Sequence, residues 1–179
     1  QVETFSMVRE MAPDVPIVGN IGAVQLRESG PEVLDRLAEM IGADAMAVHL
    51  NFLQESIQPE GDRDAAGVLE AIASARSPVP IMVKETGAGI SQEVALKLLS
   101  TGVKIMDVSG VGGTSWSAVE AVRAEEAKDQ ESLQMGNIFS NWGIPTPVSV
   151  VECASVGAEV ICSGGVRNGI DMAKSLALG

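Results

Sequence analysis

Short apolar runs alternate with helical stretches along this chain. Pro16-Ile17-Val18-Gly19-Asn20 and residues 44–49, 80–84, 103–108 and 159–162 each gather a few apolar residues and then stop at polar residues or glycine. Runs of that length, bounded by turn residues, predict buried strands. Between them apolar residues recur at helical spacing. Val33, Leu34, Leu37, Ala38 and Ile41 predict a helix over 31–41, stopped by Gly42. Val94, Leu96, Leu98 and Leu99 predict another, capped by Ser91 and ended by Gly102. Further helices are predicted over 3–11, 65–76, 116–127 and 168–177. One more starts with Thr146 as cap and Pro147 as its first helical residue, and ends near Gly157. Residues 51–63 are predicted to form a polar loop, and 128–144 an irregular surface excursion.

Strands alternating with helices predict an α/β fold with a parallel sheet, a partial TIM-type (β/α)8 barrel. The chain has 179 residues, against about 250 for a complete barrel of this type. The expectation is therefore one incomplete domain over 1–179, cut from a longer chain, with N- and C-terminal parts missing.

Composition narrows the partners. There are 12 Lys and Arg against 24 Asp and Glu, a net charge of −12. That balance argues against nucleic acid and anionic membrane surfaces. A small anion would need a local cluster of cations, amides or a metal. Cys153 and Cys162 are too few for a disulfide framework, fit no zinc spacing, and are expected to be inert core residues. No apolar stretch reaches membrane-spanning length and no signal peptide is visible, so the expected location is cytoplasmic. Tyr is absent and aromatics make up 3% of residues, which makes Trp116 and Trp142 stand out.

In a barrel, chemistry gathers at the C-terminal ends of the strands. The five predicted ends carry Asn20; His49 and Asn51; Lys84; Ser109 with its glycine loop; and Ser163-Gly164-Gly165. Lys84 closes an apolar strand, and an ammonium there needs an anion or an open cavity. Its structural alternative is a pair with Glu55, Glu85 or Asp107. His49 and Asn51 stand two apart and can share a face, although a lone histidine also fits a purely structural role. With Gln54 and Glu55 behind them, they suit a phosphate group and a divalent cation, Glu55 offering an oxygen ligand to Mg²⁺; a solvated loop is the plainer reading of those two. The glycine loops at 110–113 and 164–165 let backbone amides approach a phosphate or a flat ring, or merely turn the chain. A phosphate site at a helix N-terminus late in the barrel is the stronger signal, with Arg167 adding charge or standing as an ordinary surface arginine. Trp116 fits a ligand wall or a core aromatic.

Taken together, these segments resemble the type 2, flavin-dependent isopentenyl-diphosphate isomerases. The matching stretches are His49-Leu50-Asn51-Phe52-Leu53-Gln54-Glu55, Gln58-Pro59-Glu60-Gly61-Asp62-Arg63 and Val83-Lys84-Glu85-Thr86-Gly87-Ala88-Gly89-Ile90-Ser91. They continue with Asp107-Val108-Ser109-Gly110-Val111-Gly112-Gly113-Thr114-Ser115-Trp116, Asn141-Trp142-Gly143-Ile144-Pro145-Thr146 and Ser163-Gly164-Gly165-Val166-Arg167. The resemblance implies the central part of an FMN-binding barrel that interconverts isopentenyl and dimethylallyl diphosphate. It implies reduced FMN and Mg²⁺ as cofactors, NADPH as reductant, and a homo-oligomer of four or more subunits at full length. It places Asn20, Lys84, Ser109, Thr114, Gly164, Gly165 and Arg167 on the flavin, His49, Asn51 and Gln54 on the substrate, and Glu55 on Mg²⁺. Gln54, Lys84 and Trp116 are the residues it brings to the chemistry. The Gln54 amide has almost no basicity, so an orienting or relay role is expected for it. These residues alone are expected to bind FMN poorly and to be inactive.

Two other readings remain at this point. An FMN-dependent α-hydroxy-acid oxidase or dehydrogenase would need a base histidine late in the barrel, whereas the sole histidine here is early, at position 49. A non-catalytic half-barrel would leave the polar strand ends without purpose.

Overall fold

The computed structural model describes the backbone of residues 2–179 and the side chains of residue 5 and residues 7–179. Five strands form one parallel sheet in chain order: β1 (Val18–Gly22), β2 (Ala45–Leu50), β3 (Ile81–Glu85), β4 (Ile105–Asp107) and β5 (Glu159–Ile161). Among the described residues ten helices accompany them: α1 (Val2–Met11), α2 (Ala23–Ser29), α3 (Val33–Ile41), α4 (Phe52–Ile57), α5 (Val68–Ser74), α6 (Gln92–Ser100), α7 (Trp116–Ala127), α8 (Gln130–Ile138), α9 (Thr146–Ser155) and α10 (Gly169–Leu178). The predicted α/β alternation and parallel sheet are both present.

The pleat gives the sheet two different faces. Val48, Val83 and Met106 stand in register and join a buried cluster with Leu34, Leu98, Val150 and Cys153 from the helices. This helix-covered face is the main core, where burying each large aliphatic side chain contributes about 1.5–3 kcal/mol. Ala47 and Met82 are also buried but lie outside that cluster, on the opposite face. One pleat further on, the same face carries His49 and Lys84.

At the N-terminal end of the strands, the Arg9 guanidinium on α1 donates to the carbonyls of Gly42, Pro13 and Val15 and to the Asp44 carboxylate. Asp44 also accepts from the Ile17 amide at 2.8 Å. That amide first, and then Arg9, hold its carboxyl below the usual range. This end is tied by charge and hydrogen bonds, and the glycine loops lie at the other.

Four local expectations are corrected. Residues 128–144 are not irregular throughout: they contain α8, which Asp129 caps by accepting from the Glu131 and Ser132 amides at 3.1 and 3.2 Å. Gly136 lets α8 lie close on α7, since a Cβ there would stand 2.8 Å from Ala121 Cβ. The polar loop predicted from 51 contains the short helix α4, and α2 occupies 23–29, where no helix was predicted. Finally, Thr146 does not cap α9. Pro145 takes that position, and the Thr146 hydroxyl donates to Gly164 O at 2.6 Å. Tertiary partners outcompeted local propensity at each of these points.

Ser149 on α9 is fully buried, and its hydroxyl accepts from the Ile90 amide at 2.8 Å and donates to the Ile90 carbonyl at 2.7 Å. Replacing it leaves the buried Ile90 amide without a partner and its carbonyl with only the weak Cys153 thiol donor at 3.6 Å. Ser149→Ala is expected to cost about 1–3 kcal/mol, seen as a lowered denaturation midpoint; an unchanged midpoint contradicts this.

Candidate functional site

Register brings His49, Lys84 and Asp107 side by side across β2, β3 and β4. Asn20 on β1 approaches the row from the far side, with Oδ1 3.2 Å from His49 Nδ1. Lys84 is half-buried, and its Nζ donates to the Glu85 carbonyl at 2.9 Å. Among the described residues it makes no ion pair. Each of the three carboxylates weighed as its partner is engaged elsewhere. Asp107 accepts from the Ser163 hydroxyl. Glu85 accepts from the Thr86 and Ala88 amides, both at 2.6 Å. Glu55 accepts from Asn51 Nδ2 at 2.5 Å and from the Asp62 amide at 2.9 Å. Burial still pushes the Glu85 carboxyl above its usual range, with the backbone amides opposing.

The corner after β2 organises the next group. Asn51 precedes α4 and lies four residues before Glu55, so the two side chains meet on one helical face. Gln54 points into a different contact, its Nε2 donating to Glu120 Oε1 on α7 at 2.8 Å. Glu120 is 4% exposed and also accepts from Gln58 Nε2 at 2.7 Å and from Arg123 at 2.9 Å. Because its amide nitrogen is committed to Glu120, Gln54 has a fixed orientation. A cavity of about 60 Å³ lies beside it, lined by Glu85, Thr86, Thr114, Trp116 and Trp142 among others. Trp116 is therefore a wall of this cavity, 43% exposed, rather than a core aromatic.

The two glycine loops pack on each other. A Cβ on Gly165 (φ +93) would land on Gly112 O, and one on Gly113 would stand 2.8 Å from Gly165 N. Their first use is thus close backbone-to-backbone approach. Arg167 reinforces it by donating to Gly112 O at 2.9 Å. Ser109 holds a left-handed backbone (φ 36), uncommon for a side chain that is not glycine, and its carbonyl accepts from Gly89 at 3.3 Å. The N-terminus of α10 is less open than expected. Asn168 takes the Ile170 and Asp171 amides, and the Asp171 carboxylate takes the Arg167 amide. The amides of Gly113, Thr114, Gly164, Gly165 and Val166 have no acceptor among the described residues. The free donors of this corner therefore lie in the loops before the helix and not at its N-terminus.

Comparison with known proteins adds a second line. The chain is 64% identical over 177 residues to the isopentenyl-diphosphate delta-isomerase of Methanothrix thermoacetophila, covering 99% of this chain and 50% of that protein. It is 56% identical over 180 residues to the enzyme of that name from Methanococcoides burtonii, covering 100% and 49%. For Halobacterium salinarum the figures are 52% over 181 residues, covering 99% and 50%. This chain is similar to isopentenyl-diphosphate delta-isomerases. It spans about half the length of the curated relatives it matches. No protein-family model matches it. Among solved structures it is similar to inosine 5'-monophosphate dehydrogenase from Legionella pneumophila, with a TM-score of 0.58 at 19% identity, over 99% of this chain and 45% of that one. That enzyme is a TIM barrel, and at this identity the likeness concerns the fold: the five strands are those of a partial barrel.

The stretch matched by the isomerases contains the whole row from Asn20 to Arg167. Sequence reasoning missed Glu120, hidden in a charged helix. The available signal was its place four residues after Trp116, on the same helical face. Among the described residues no three His, Cys, Asp or Glu side chains cluster as a metal site. Among them, too, no helix is long and apolar enough to cross a membrane.

Burial first, and the Lys84 charge second, lower the His49 pKa below 6.5, while Glu55 opposes. Folding therefore disfavours the imidazolium. The stability His49 contributes is present above the unfolded value of 6.5 and is lost as pH falls through the lower folded one. As the sole histidine it gives one imidazole Hε1 signal in NMR. That signal is expected to titrate below 6.5, and Lys84→Gln to raise the midpoint only in part, because burial remains. A parent midpoint at or above 6.5 contradicts this environment.

Proposed function

We propose that this chain is the part of a type 2 isopentenyl-diphosphate delta-isomerase that carries most of its strand-end chemistry. The observation behind the reading is a half-buried Lys84 with no carboxylate partner among the described residues, standing in register with His49, in a chain 51–64% identical to enzymes of that name. A protein of net charge −12 holds an anionic cofactor and an anionic substrate only where local cations and amides outweigh its field.

Reduced FMN, when bound, supplies the acid/base chemistry that moves the double bond by one carbon. The residues present fit it. The free loop amides from Gly113 to Thr114 and from Gly164 to Val166 offer donors for its phosphate, with Arg167 and Ser109 holding the loops that carry them. Lys84 and Asn20 would hold the flavin, where the Lys84 ammonium would favour its anionic reduced form. His49 and Asn51 hold the substrate diphosphate, and Glu55 holds Mg²⁺ through the lone pairs that Asn51 and Asp62 leave free. Fixing the diphosphate orients the reacting carbons. Gln54, locked by Glu120, positions rather than takes a proton, and Trp116 closes the apolar side. The reading includes NADPH as reductant, a cytoplasmic setting, and a homo-oligomer of four or more subunits.

Two variants of a full-length enzyme carrying this segment test it. Lys84→Ala is expected to lower kcat by about 10²–10³-fold, the usual loss for a charge-stabilising donor. Glu55→Gln is expected to raise the Mg²⁺ concentration needed for half-maximal isomerisation. Unchanged steady-state kinetics in both contradict the assignments.

A further inference from the structure

The proposed function gives Glu55 the metal, and one of the two groups that hold its carboxylate is the Asp62 amide, delivered by the segment after α4. From the geometry of residues 58–62 we infer that this return loop positions Glu55, and that Gly61 is its working part. The inference rests on the proposed function.

Helix α4 ends at Ile57, and Gln58 is extended (φ −70, ψ 134). The helical donor for the Glu55 carbonyl would be residue 59, which is proline and has no N–H. The chain instead turns back through the Gly61 amide, which donates to Gln58 O at 3.1 Å. Gly61 then lies directly against the backbone of Glu55. A Cβ there would land on the Glu55 carbonyl oxygen, 2.6 Å from its carbonyl carbon and 2.8 Å from its Cα. Gly61 is not among the residues with a left-handed backbone, so the need is for space and not for an unusual φ. This close approach delivers the Asp62 amide to Glu55 Oε2 at 2.9 Å, while Asn51 holds Oε1. The Asp62 side chain itself is exposed. Gly61 and the Asp62 amide are therefore positioning groups. They fix the carboxylate from one side and leave its remaining lone pairs to a cation.

The test uses full-length, FMN-loaded enzyme and measures binding rather than turnover. Retention of labelled isopentenyl diphosphate in equilibrium dialysis is followed as Mg²⁺ is raised. Gly61→Ala is expected to need about 10–100-fold more Mg²⁺ than the parent, the usual cost of losing a partner that orients a ligand. Asp62→Pro removes the donating N–H together with the side chain and is expected to shift the titration the same way; with Asp62→Ala as the side-chain control, it decides the matter should Gly61→Ala fail to fold. Asp62→Ala keeps the amide and is expected to match the parent. FMN content stays at the parent level in all three. Gly61→Ala and Asp62→Pro titrating like the parent, or Asp62→Ala shifting as far as they do, overturns the inference while Glu55→Gln still raises the Mg²⁺ requirement. Glu55→Gln without effect removes the ligand assignment itself, and the inference with it.

Discussion

A half-buried ammonium that makes no ion pair among the described residues, although three carboxylates are candidates for it, is the constraint around which this molecule is arranged. Each acid is satisfied by another donor: Asp107 by the Ser163 hydroxyl, Glu85 by two backbone amides, Glu55 by Asn51 and the Asp62 amide. Had any of them paired with Lys84, the positive charge would be neutralised before a ligand arrived. Leaving a charge partly buried without a counter-ion is costly. Under the proposed function that cost is offset when an anion binds, and the row receives negative charge in an otherwise acidic protein.

Rigidity at the rim comes from backbone packed on backbone. Ile144 donates to Ala88 O, Val111 to Ile144 O, Thr146 to Val111 O and Gly110 to Ser163 O. The loops after β3, β4 and β5 thus form one hydrogen-bonded unit, closed by Thr146 and Arg167. Glycine is required where two of these main chains touch. Groups held this way need little rearrangement when a ligand binds, which is the condition for electrostatic stabilisation to be effective.

The strands and most helices were legible because burial on the helix-covered face enforces apolar runs, and because Ser91 and Gly42 mark their helix ends by simple stereochemistry. The rim residues were legible as polar positions at strand ends. What could not be read was pairing. Nothing local tells that Gln54 meets Glu120, 66 positions away, or that Asp171 closes the α10 terminus to an incoming anion. Helix α8 escaped notice because its burial runs through Gly136 and Ser132, residues that carry no apolar signature. The Thr146 hydroxyl looked like a helix cap from sequence, yet it serves a carbonyl 18 residues later.

The most direct measurement is the midpoint potential of flavin bound to the full-length enzyme, compared between the parent and Lys84→Gln. A lysine facing the ring stabilises the anionic reduced form more than the neutral oxidised one, so its loss is expected to make the potential more negative. A potential that stays the same or rises would contradict the central claim that this unpaired ammonium is held for the cofactor's negative charge.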